Sequence, residues 1–432
     1  MLMVRRLFSS FCRTGLFHAV KHIARRLLPE ERYYRLKDRI LERVLKGYNN
    51  AVHMPTAFFG VEGQVGVNVA GYLSSGLGLG ESARNMASVI ASQNIPFVEN
   101  DFELRGVRKV HTELEANMSN DNPYCINLVN VNPDCWIFYR TQSARGYFDN
   151  RYNIGIWYWE AHSLPREWTY CFRFFHEIWA ATDFIHDAFS AHSPVPVVKI
   201  PPVVRVDPAP LTPRRNFNIP EDVYLFLFVF DFNSTAARKN PLAVIRAFKD
   251  AFAGEADAML CLKASGGKQF GNEIRDLYAV MDDADNIMVI DDYLEREKLN
   301  SLMNACDCYV SLHRSEGFGA SIAEAMLLEK PVIVTGYSGN MDYTNESNSL
   351  LVSYSLTEFD HNTGPYRKGT VWAEPDTAHA STLMRWAYEH RDEARKLGKR
   401  GAETVRGLYN ISAVGETVRR RLYSIAGEPV GG

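Results

Sequence analysis

One stretch, Asp307 to Asn340, leaves few choices of architecture: it reads DCYVSLHRSEGFGASIAEAMLLEKPVIVTGYSGN. A short apolar run around Tyr309 and Val310 predicts a strand, a turn follows through Glu316-Gly317-Phe318-Gly319, and Ile322, Ala325 and Met326 recur at helical spacing. Val332-Ile333-Val334 closes the unit as a second strand. Gly317 and Gly319 let the backbone approach a ligand, and the helix start aims free amides and a partial positive charge outward. Glu316 and Glu324 have seven residues between them, and a helix beginning near Gly319 brings both to the carboxyl ends of parallel strands, where open α/β sheets bind ligands. Two carboxylates beside a row of backbone donors suit a sugar nucleotide. One would hold hydroxyls of the transferred sugar and the other those of the ribose.

The chain before this unit restarts as an α/β pattern at Tyr224–Phe230, a strong strand followed by Asp231-Phe232-Asn233-Ser234-Thr235-Ala236-Ala237-Arg238-Lys239-Asn240-Pro241. Leu242, Ile245, Phe248 and Phe252 then mark a helix. Cations just before a helix start, here Arg238 and Lys239, form a good pyrophosphate site. Lys263 follows the next strand, Met259–Leu262. Asp283-Ala284-Asp285 precedes the strand Ile287–Ile290 instead of following one, which is a poor position for a divalent ion and predicts metal-independent chemistry. The last helix carries Ile411, Val414, Val418 and Leu422 on one face.

The amino half alternates in the same way, with apolar runs at Val65–Ala70, Ile126–Val129, Ile154–Trp157, Ile178–Ala181 and Val197–Ile200, and so predicts a second parallel sheet covered by helices. Gly78-Leu79-Gly80-Glu81-Ser82-Ala83 fits a loose dinucleotide fingerprint with Glu99 about twenty residues on, which makes a nicotinamide-dependent dehydrogenase a rival reading. Against it, the loop from Gly71 to Gly80 is longer than the tight turn such a fingerprint opens. Asn130, Asn132 and Asp134 gather at a strand end, either to meet acceptor hydroxyls or to cap a local turn. After the strand ending at Trp157, the run Trp157-Tyr158-Trp159-Glu160-Ala161-His162 offers aromatic faces for a sugar ring, with Glu160 and His162 as acceptor-side candidates. Residues 201–215 hold five prolines and read as a linker, a hinge over which two halves close on the donor and exclude water.

A length of 432 residues suggests two or three domains, and 46% hydrophobic residues can fill more than one core. The net charge of −3 argues against a nucleic-acid partner. Residues 1–50 carry a net +8, leaving −11 on the rest. Within them Phe17, Val20, Ala24, Leu27 and Leu28 share a helical face flanked by Lys21, Arg25 and Arg26. Such a helix either lies on an anionic membrane surface or packs on the body with a solvated basic rim. The seven cysteines are odd in number and form no zinc pattern, no apolar run reaches a membrane span, and no signal-peptide core stands at the amino terminus, so a reducing cytoplasm is expected.

The pattern of Glu316 and Glu324, in the setting Ser311-Leu312-His313-Arg314-Ser315-Glu316-Gly317-Phe318-Gly319, resembles the donor-site signature of the retaining GT-B glycosyltransferases of family four, the glycosyltransferase group 1 family. The resemblance covers roughly residues 65 to 425 and is most specific from 231 to 342. It implies an α/β GT-B fold with two facing Rossmann-like domains and a cleft between them. The expected parts are a basic helical extension (1–60), an acceptor domain (61–205), a donor domain (206–410) and a helix returning to the first domain (411–432). By the same resemblance Lys239 and Lys263 clamp the diphosphate, Arg238 either substituting for the missing arginine or leaving the clamp to neutral donors, and Asn233, Ser234, Glu316, Gly317, Phe318, Gly319 and Glu324 complete the donor site, the glutamates holding sugar and ribose. Gly78, Gly80 and Glu81 would line the donor side of the amino domain. Two departures stand out: Asn233 sits where many members carry an arginine, and Trp159-Glu160 sits where many carry a histidine, with His162 two residues on. The implied activity is transfer of a hexose, mannose among the candidates, from a nucleoside diphosphate sugar to a growing polysaccharide or lipid-linked glycan, with no cofactor or metal and with retention at the anomeric carbon. The work would take place in the cytoplasm or at the inner membrane face, through residues 1–50. A sugar-nucleotide epimerase and a non-catalytic glycan-binding protein remain alternatives beside the dehydrogenase.

Overall fold

A computed structural model describes residues 65–103, 109–110, 117–144, 146–206, 212–282, 284–360, 362 and 365–427. The basic extension, with its expected surface helix, lies outside the described residues, as does Asp283. The chain divides into two compact units, one of residues 1–203, 359–369 and 411–432, the other of residues 204–358 and 370–410. The sequence put the break at 205/206; the units part at 203/204, and the 359–369 segment, which local periodicity did not mark, belongs to the first unit although both its neighbours in sequence belong to the second.

The first unit is built on β1 (Val67–Gly71), α1 (Gly78–Ser92), β2 (Phe97–Asp101), β3 (Ile126–Asn130), α2 (Trp136–Gln142), β4 (Tyr152–Trp157), β5 (Glu177–Ala180), α3 (Asp183–Ser190) and β6 (Val197–Lys199). Its six strands are all parallel in the order β2-β1-β3-β4-β5-β6. Strands covered on both faces tolerate polar groups only where these satisfy one another. Asn68, Asn127 and Asn153, adjacent in register on β1, β3 and β4, do so. Asn68 donates to Asn127 at 2.9 Å, Asn127 to Asn153 at 2.7 Å, and Asn153 to the Phe148 carbonyl at 2.9 Å.

The second unit holds β7 (Tyr224–Val229), α4 (Ala236–Lys239), α5 (Pro241–Phe252), β8 (Ala258–Ala264), α6 (Gly271–Met281), β9 (Ile287–Asp291), α7 (Arg296–Ala305), β10 (Cys308–Ser311), α8 (Ala320–Leu327), β11 (Val332–Thr335), β12 (Leu350–Val352), β13 (Tyr354–Glu358), β14 (Val371–Pro375), α9 (Thr377–Glu389) and α10 (Arg391–Tyr409). Its parallel six-stranded sheet runs β12-β11-β10-β7-β8-β9, and β13 and β14 pair antiparallel beside it as a separate ribbon. The β7 sequence YLFLFV is almost wholly apolar because both its faces are covered. The stripe read on α5 faces inward, with Ile245, Phe248 and Phe252 buried in the core.

The final helix, α11 (Ile411–Ala426), lies in the first unit, where Val414, Val418 and Leu422 join the core cluster formed by Met86, Val89 and Ile90 of α1. A Cβ on Gly415 would meet Gln93 Nε2 at 2.2 Å, so α11 passes close to the end of α1. Arg421 then ion-pairs with the buried Glu177 of β5, which also accepts from Trp179 Nε1 at 2.6 Å and Tyr152 Oη at 3.2 Å. No helix among the described residues is long and apolar enough to cross a membrane, and no disulfide joins the described cysteines.

Glu99 of β2 stands opposite Val69 and is fully buried, and neither carboxyl oxygen has a hydrogen-bond partner among the described residues. Burial and the nearby Asp101 raise its pKa from 4.5 to about 7 against the pull of Arg84. A folded-state value above the unfolded one means that stability is fully present below about 4.5 and falls as pH rises toward 7. Glu99→Gln should therefore leave unfolding midpoints unchanged near pH 4 and raise stability at pH 8 by roughly 2–3 kcal/mol. Chemical denaturation at both pH values checks this, and an equal effect at the two would contradict it.

Candidate functional site

In the sheet of the second unit the strand order reverses between β7 and β10, the topological position at which open α/β sheets usually bind ligands. After β7, Asp231 Oδ1 accepts from both the backbone and the side-chain amide of Asn233, at 2.7 and 2.9 Å, and a 3-10 turn through Ser234 leads to Thr235 with φ of 68°. This tight path delivers the one-turn helix α4, whose last residues are Arg238 and Lys239. Asn240, at φ 57°, then redirects the chain into α5.

The loop after β10 supplies the partner. Glu316 Oε1 accepts from Lys239 Nζ at 2.5 Å, and Oε2 lies 2.9 Å from Arg238 Nη1, which also donates to the Ser315 carbonyl at 2.8 Å. All three side chains are largely buried. Burial alone would raise the Glu316 pKa, but Lys239, Arg238 and then His313 hold it down at about 2. His313 itself is pushed below its ordinary value by burial, partly opposed by Glu316. Its ring nitrogens meet Ser311 Oγ at 3.1 Å and Asn340 Oδ1 at 3.0 Å.

The glycine loop is braced from the segment after β11. Glu316 N donates to Ser338 Oγ at 2.8 Å, and Gly339 N to the Glu316 carbonyl at 2.9 Å. A Cβ at Gly339 would lie 1.9 Å from the Gly317 carbonyl oxygen, so only glycine permits this approach. Tyr343 Oη donates to the carbonyls of Phe318 and Gly319, each at 2.8 Å, and Gly319 enters α8 with φ of 82°. Phe318 packs its ring against Tyr343 and Tyr409, so this candidate serves the core with its side chain and can offer a ligand only backbone.

Glu324, buried on α8, ion-pairs with Arg296 at the start of α7. Lys263, buried at the end of β8, pairs with neither glutamate. Its amine donates to Ser265 Oγ at 2.7 Å and to the Ala264 carbonyl at 3.0 Å, and burial lowers its pKa although Asp231, Asp291 and Asp292 raise it. Arg238, Lys239 and Glu316 therefore form one cluster, Glu324 a second pair, and Lys263 a separate site at the neighbouring strand tip. Among the described residues no three His, Cys, Asp or Glu side chains converge as a metal set would.

In the first unit the expected aromatic platform is not exposed. Trp157 is fully buried against Phe172, Phe175 and Phe189, and Trp159 is wedged between Trp168 and Tyr366, because these large rings complete the core at the end of β4. Glu160 accepts from Tyr366 Oη at 3.0 Å, whereas His162 is exposed and rests on Phe184. Asn132 is a structural clip, donating to the Tyr158 carbonyl at 3.0 Å and accepting from its amide at 2.9 Å, and Asn130 donates to Ser82 Oγ at 2.8 Å. Gly80 is required by packing, since a Cβ there would lie 2.5 Å from the carbonyls of Tyr72 and Ser75, while a Cβ on Gly78 would meet nothing. Sequence reasoning missed Arg296, Ser338, Tyr343 and Tyr366. It also missed Arg314, whose guanidinium grips Glu374 at 2.6 and 3.0 Å and the Ala237 carbonyl at 2.6 Å. Of these only Arg314 and Ser338 carried a local signal, lying within the two runs already singled out.

Residues 212–404 match the family described as glycosyl transferases group 1. A search of curated proteins finds no match. Among solved structures, sucrose-phosphate synthase from Thermosynechococcus elongatus aligns with 84% of this chain and 100% of its own at 14% identity and a TM-score of 0.60. A glycosyltransferase from Rickettsia africae gives 84% and 99% coverage, 14% identity and 0.60. Anabaena HepE in complex with UDP-glucose gives 84% and 100%, 11% and 0.60. At these identities the structural likeness establishes the fold, and the family match establishes the enzyme class. The second unit carries a group 1 glycosyl transferase domain, and the two parallel six-stranded sheets give the chain the fold of the GT-B glycosyltransferases it is similar to.

Proposed function

We propose that this glycosyltransferase moves a hexose from a nucleoside diphosphate sugar to a hydroxyl of a growing polysaccharide or lipid-linked glycan, with retention at the anomeric carbon and without a metal. The observation that carries the reading is the Lys239–Glu316–Arg238 cluster at the strand-order reversal of the second unit. The complex of the similar HepE protein with UDP-glucose supports a uridine diphosphate hexose as the first donor to test.

In this reading Lys239 turns from Glu316 to the diphosphate when donor enters, and Arg238 stays behind to keep the carboxylate ionised. Glu316 then accepts hydroxyls of the hexose, and Glu324, steadied by Arg296, accepts those of the ribose. As the bond from the anomeric carbon to the diphosphate oxygen breaks, negative charge grows on that oxygen, and Lys239 and the amides entering α8 stabilise it. The acceptor oxygen bonds to the same face of the sugar while its proton passes to the leaving diphosphate. Fixed cations that take up the leaving charge support metal-independent transfer.

Three measurements test this. In calorimetric titration UDP-hexoses or GDP-hexoses should bind the wild type, and Lys239→Ala should weaken binding by about tenfold to a hundredfold, the worth of one charge-assisted hydrogen bond. Silence from both donor classes would remove the assignment. Turnover should survive excess chelator, and a loss restored by magnesium or manganese would exclude the metal-free reading. Because the folded Glu316 value of about 2 lies below its ordinary 4.5, the stabilisation from its ion pairs is complete above about 4.5 and is lost as pH falls toward 2. Glu316→Gln should therefore flatten the acid limb of thermal stability while costing about 3 kcal/mol at neutral pH, where it strands two buried cations. Parallel acid limbs would contradict the cluster.

A further inference from the structure

His313 stands two residues beyond β10, is fully buried and has no part in the transfer described above. Its Nε2 meets two oxygens, Asn340 Oδ1 at 3.0 Å and the Tyr337 carbonyl at 3.4 Å, and its Nδ1 meets Ser311 Oγ at 3.1 Å. The Asn340 amide has a fixed sense, because its Nδ2 donates to the Thr335 carbonyl at 3.1 Å and to Thr344 Oγ1 at 3.2 Å. Both oxygens facing Nε2 can therefore only accept. Nε2 carries the ring proton, and Nδ1 accepts from Ser311. Burial lowers the ring's pKa and keeps it neutral, against Glu316, which raises it, and together with Lys239, which lowers it.

Asn340 belongs to the turn that braces Glu316. At the start of that turn Ser338 sits at φ of 75°, a region that residues with a side chain seldom adopt and that persists only where surrounding contacts enforce it. From this conformation Ser338 Oγ accepts from Glu316 N, and the next residue, Gly339, donates its own N–H to the Glu316 carbonyl, so the turn grips Glu316 by both its backbone groups. The hydrogen bond from His313 to Asn340 ties the turn to the sheet. On one side the ring is anchored on Ser311, the last residue of β10, and on the other Asn340 is anchored on Thr335, the last residue of β11. Without that bond Ser338 is freer to relax to an ordinary φ and to carry its hydroxyl away from Glu316 N.

We infer that His313 is a positioning residue for Glu316, acting as an Nε2–H donor through Asn340 on the strained turn at Ser338. The inference rests on the proposed role of Glu316 toward the hexose hydroxyls, and every residue in it lies in the second unit. His313 touches neither sugar nor nucleotide in this account. Its loss should weaken the hold on the hexose and leave the nucleoside diphosphate, held by Lys239 and Glu324, bound as before.

The test titrates the full chain with the UDP-hexose or GDP-hexose that binds it and, separately, with the corresponding nucleoside diphosphate, so that no acceptor need be known. Two variants separate the two sides of the ring. The amide of His313→Gln reaches about as far as Nε2 and can still donate to Asn340, whereas that of His313→Asn ends near the place of Nδ1 and meets Ser311 alone. His313→Gln should bind the nucleotide sugar within about threefold of wild type, and His313→Asn about tenfold more weakly, the effect of one hydrogen bond to a charged group. Both should bind the nucleoside diphosphate within about twofold of wild type, a split that general damage to the fold would not produce. Equal losses toward the two ligands, equal behaviour of the two variants, or a His313→Asn chain at wild-type affinity would overturn the inference and leave the donor reading intact. A second measurement needs neither ligand nor variant affinity: nitrogen resonances of the wild-type imidazole should show a neutral ring protonated at Nε2. A ring protonated at Nδ1, or charged at neutral pH, would overturn the inference whether or not the variants fold. A Glu316→Gln chain at full affinity for the nucleotide sugar would instead remove the role of Glu316 and the inference with it, and so would a wild type silent toward every nucleotide sugar.

Discussion

A buried carboxylate between two buried cations organises the second unit. Glu316, Lys239 and Arg238 would each be costly to bury alone, by several kcal/mol per uncompensated charge. Together they satisfy one another, and in doing so they tie the loop after β7 to the loop after β10 across the point where the strand order turns back. The tie is repeated in the backbone, because Arg314 N donates to the Arg238 carbonyl at 2.8 Å while Arg238 Nη1 reaches the Ser315 carbonyl. Arg314 extends it to β14 through Glu374, and its guanidinium lies over the Trp372 ring at 5.1 Å.

Under the proposed function this arrangement is where the donor's diphosphate is received. In that reading Lys239 alone turns to an entering diphosphate, while Glu316 and Arg238 keep their places on loops already tied together. The cluster also explains why the glycine loop is so closely braced. If Ser338, Gly339 and Tyr343 did not hold residues 316–319, the carboxylate could drift from its cations and the helix start of α8 would lose its fixed aim.

Much of this was legible in the sequence because it is local. The strand, glycine loop and helix around Glu316, the inward stripe of α5 and the apolar face of α11 all follow from periodicity within one element. The charged run before α5 announced Lys239 and Arg238 for the same reason. What periodicity cannot report is which distant residue fills a remaining gap. Arg296 reaches Glu324 from another helix, Tyr366 reaches Glu160 across 206 positions, and the asparagine ladder depends on the register of three strands. The tryptophans after β4 misled for a related reason: an aromatic at a strand end serves a ligand or the core equally well, and here the core needed the volume. Gly80 likewise looked like a ligand-facing glycine, but it is fixed by two carbonyls of its own loop.

The most direct test is a crystal structure of the chain with its tightest-binding nucleotide sugar. The account predicts the diphosphate within hydrogen-bonding distance of Lys239 Nζ, hexose hydroxyls on Glu316 and ribose hydroxyls on Glu324. An ordered nucleotide bound elsewhere, with Lys239 still seated on Glu316, would contradict it.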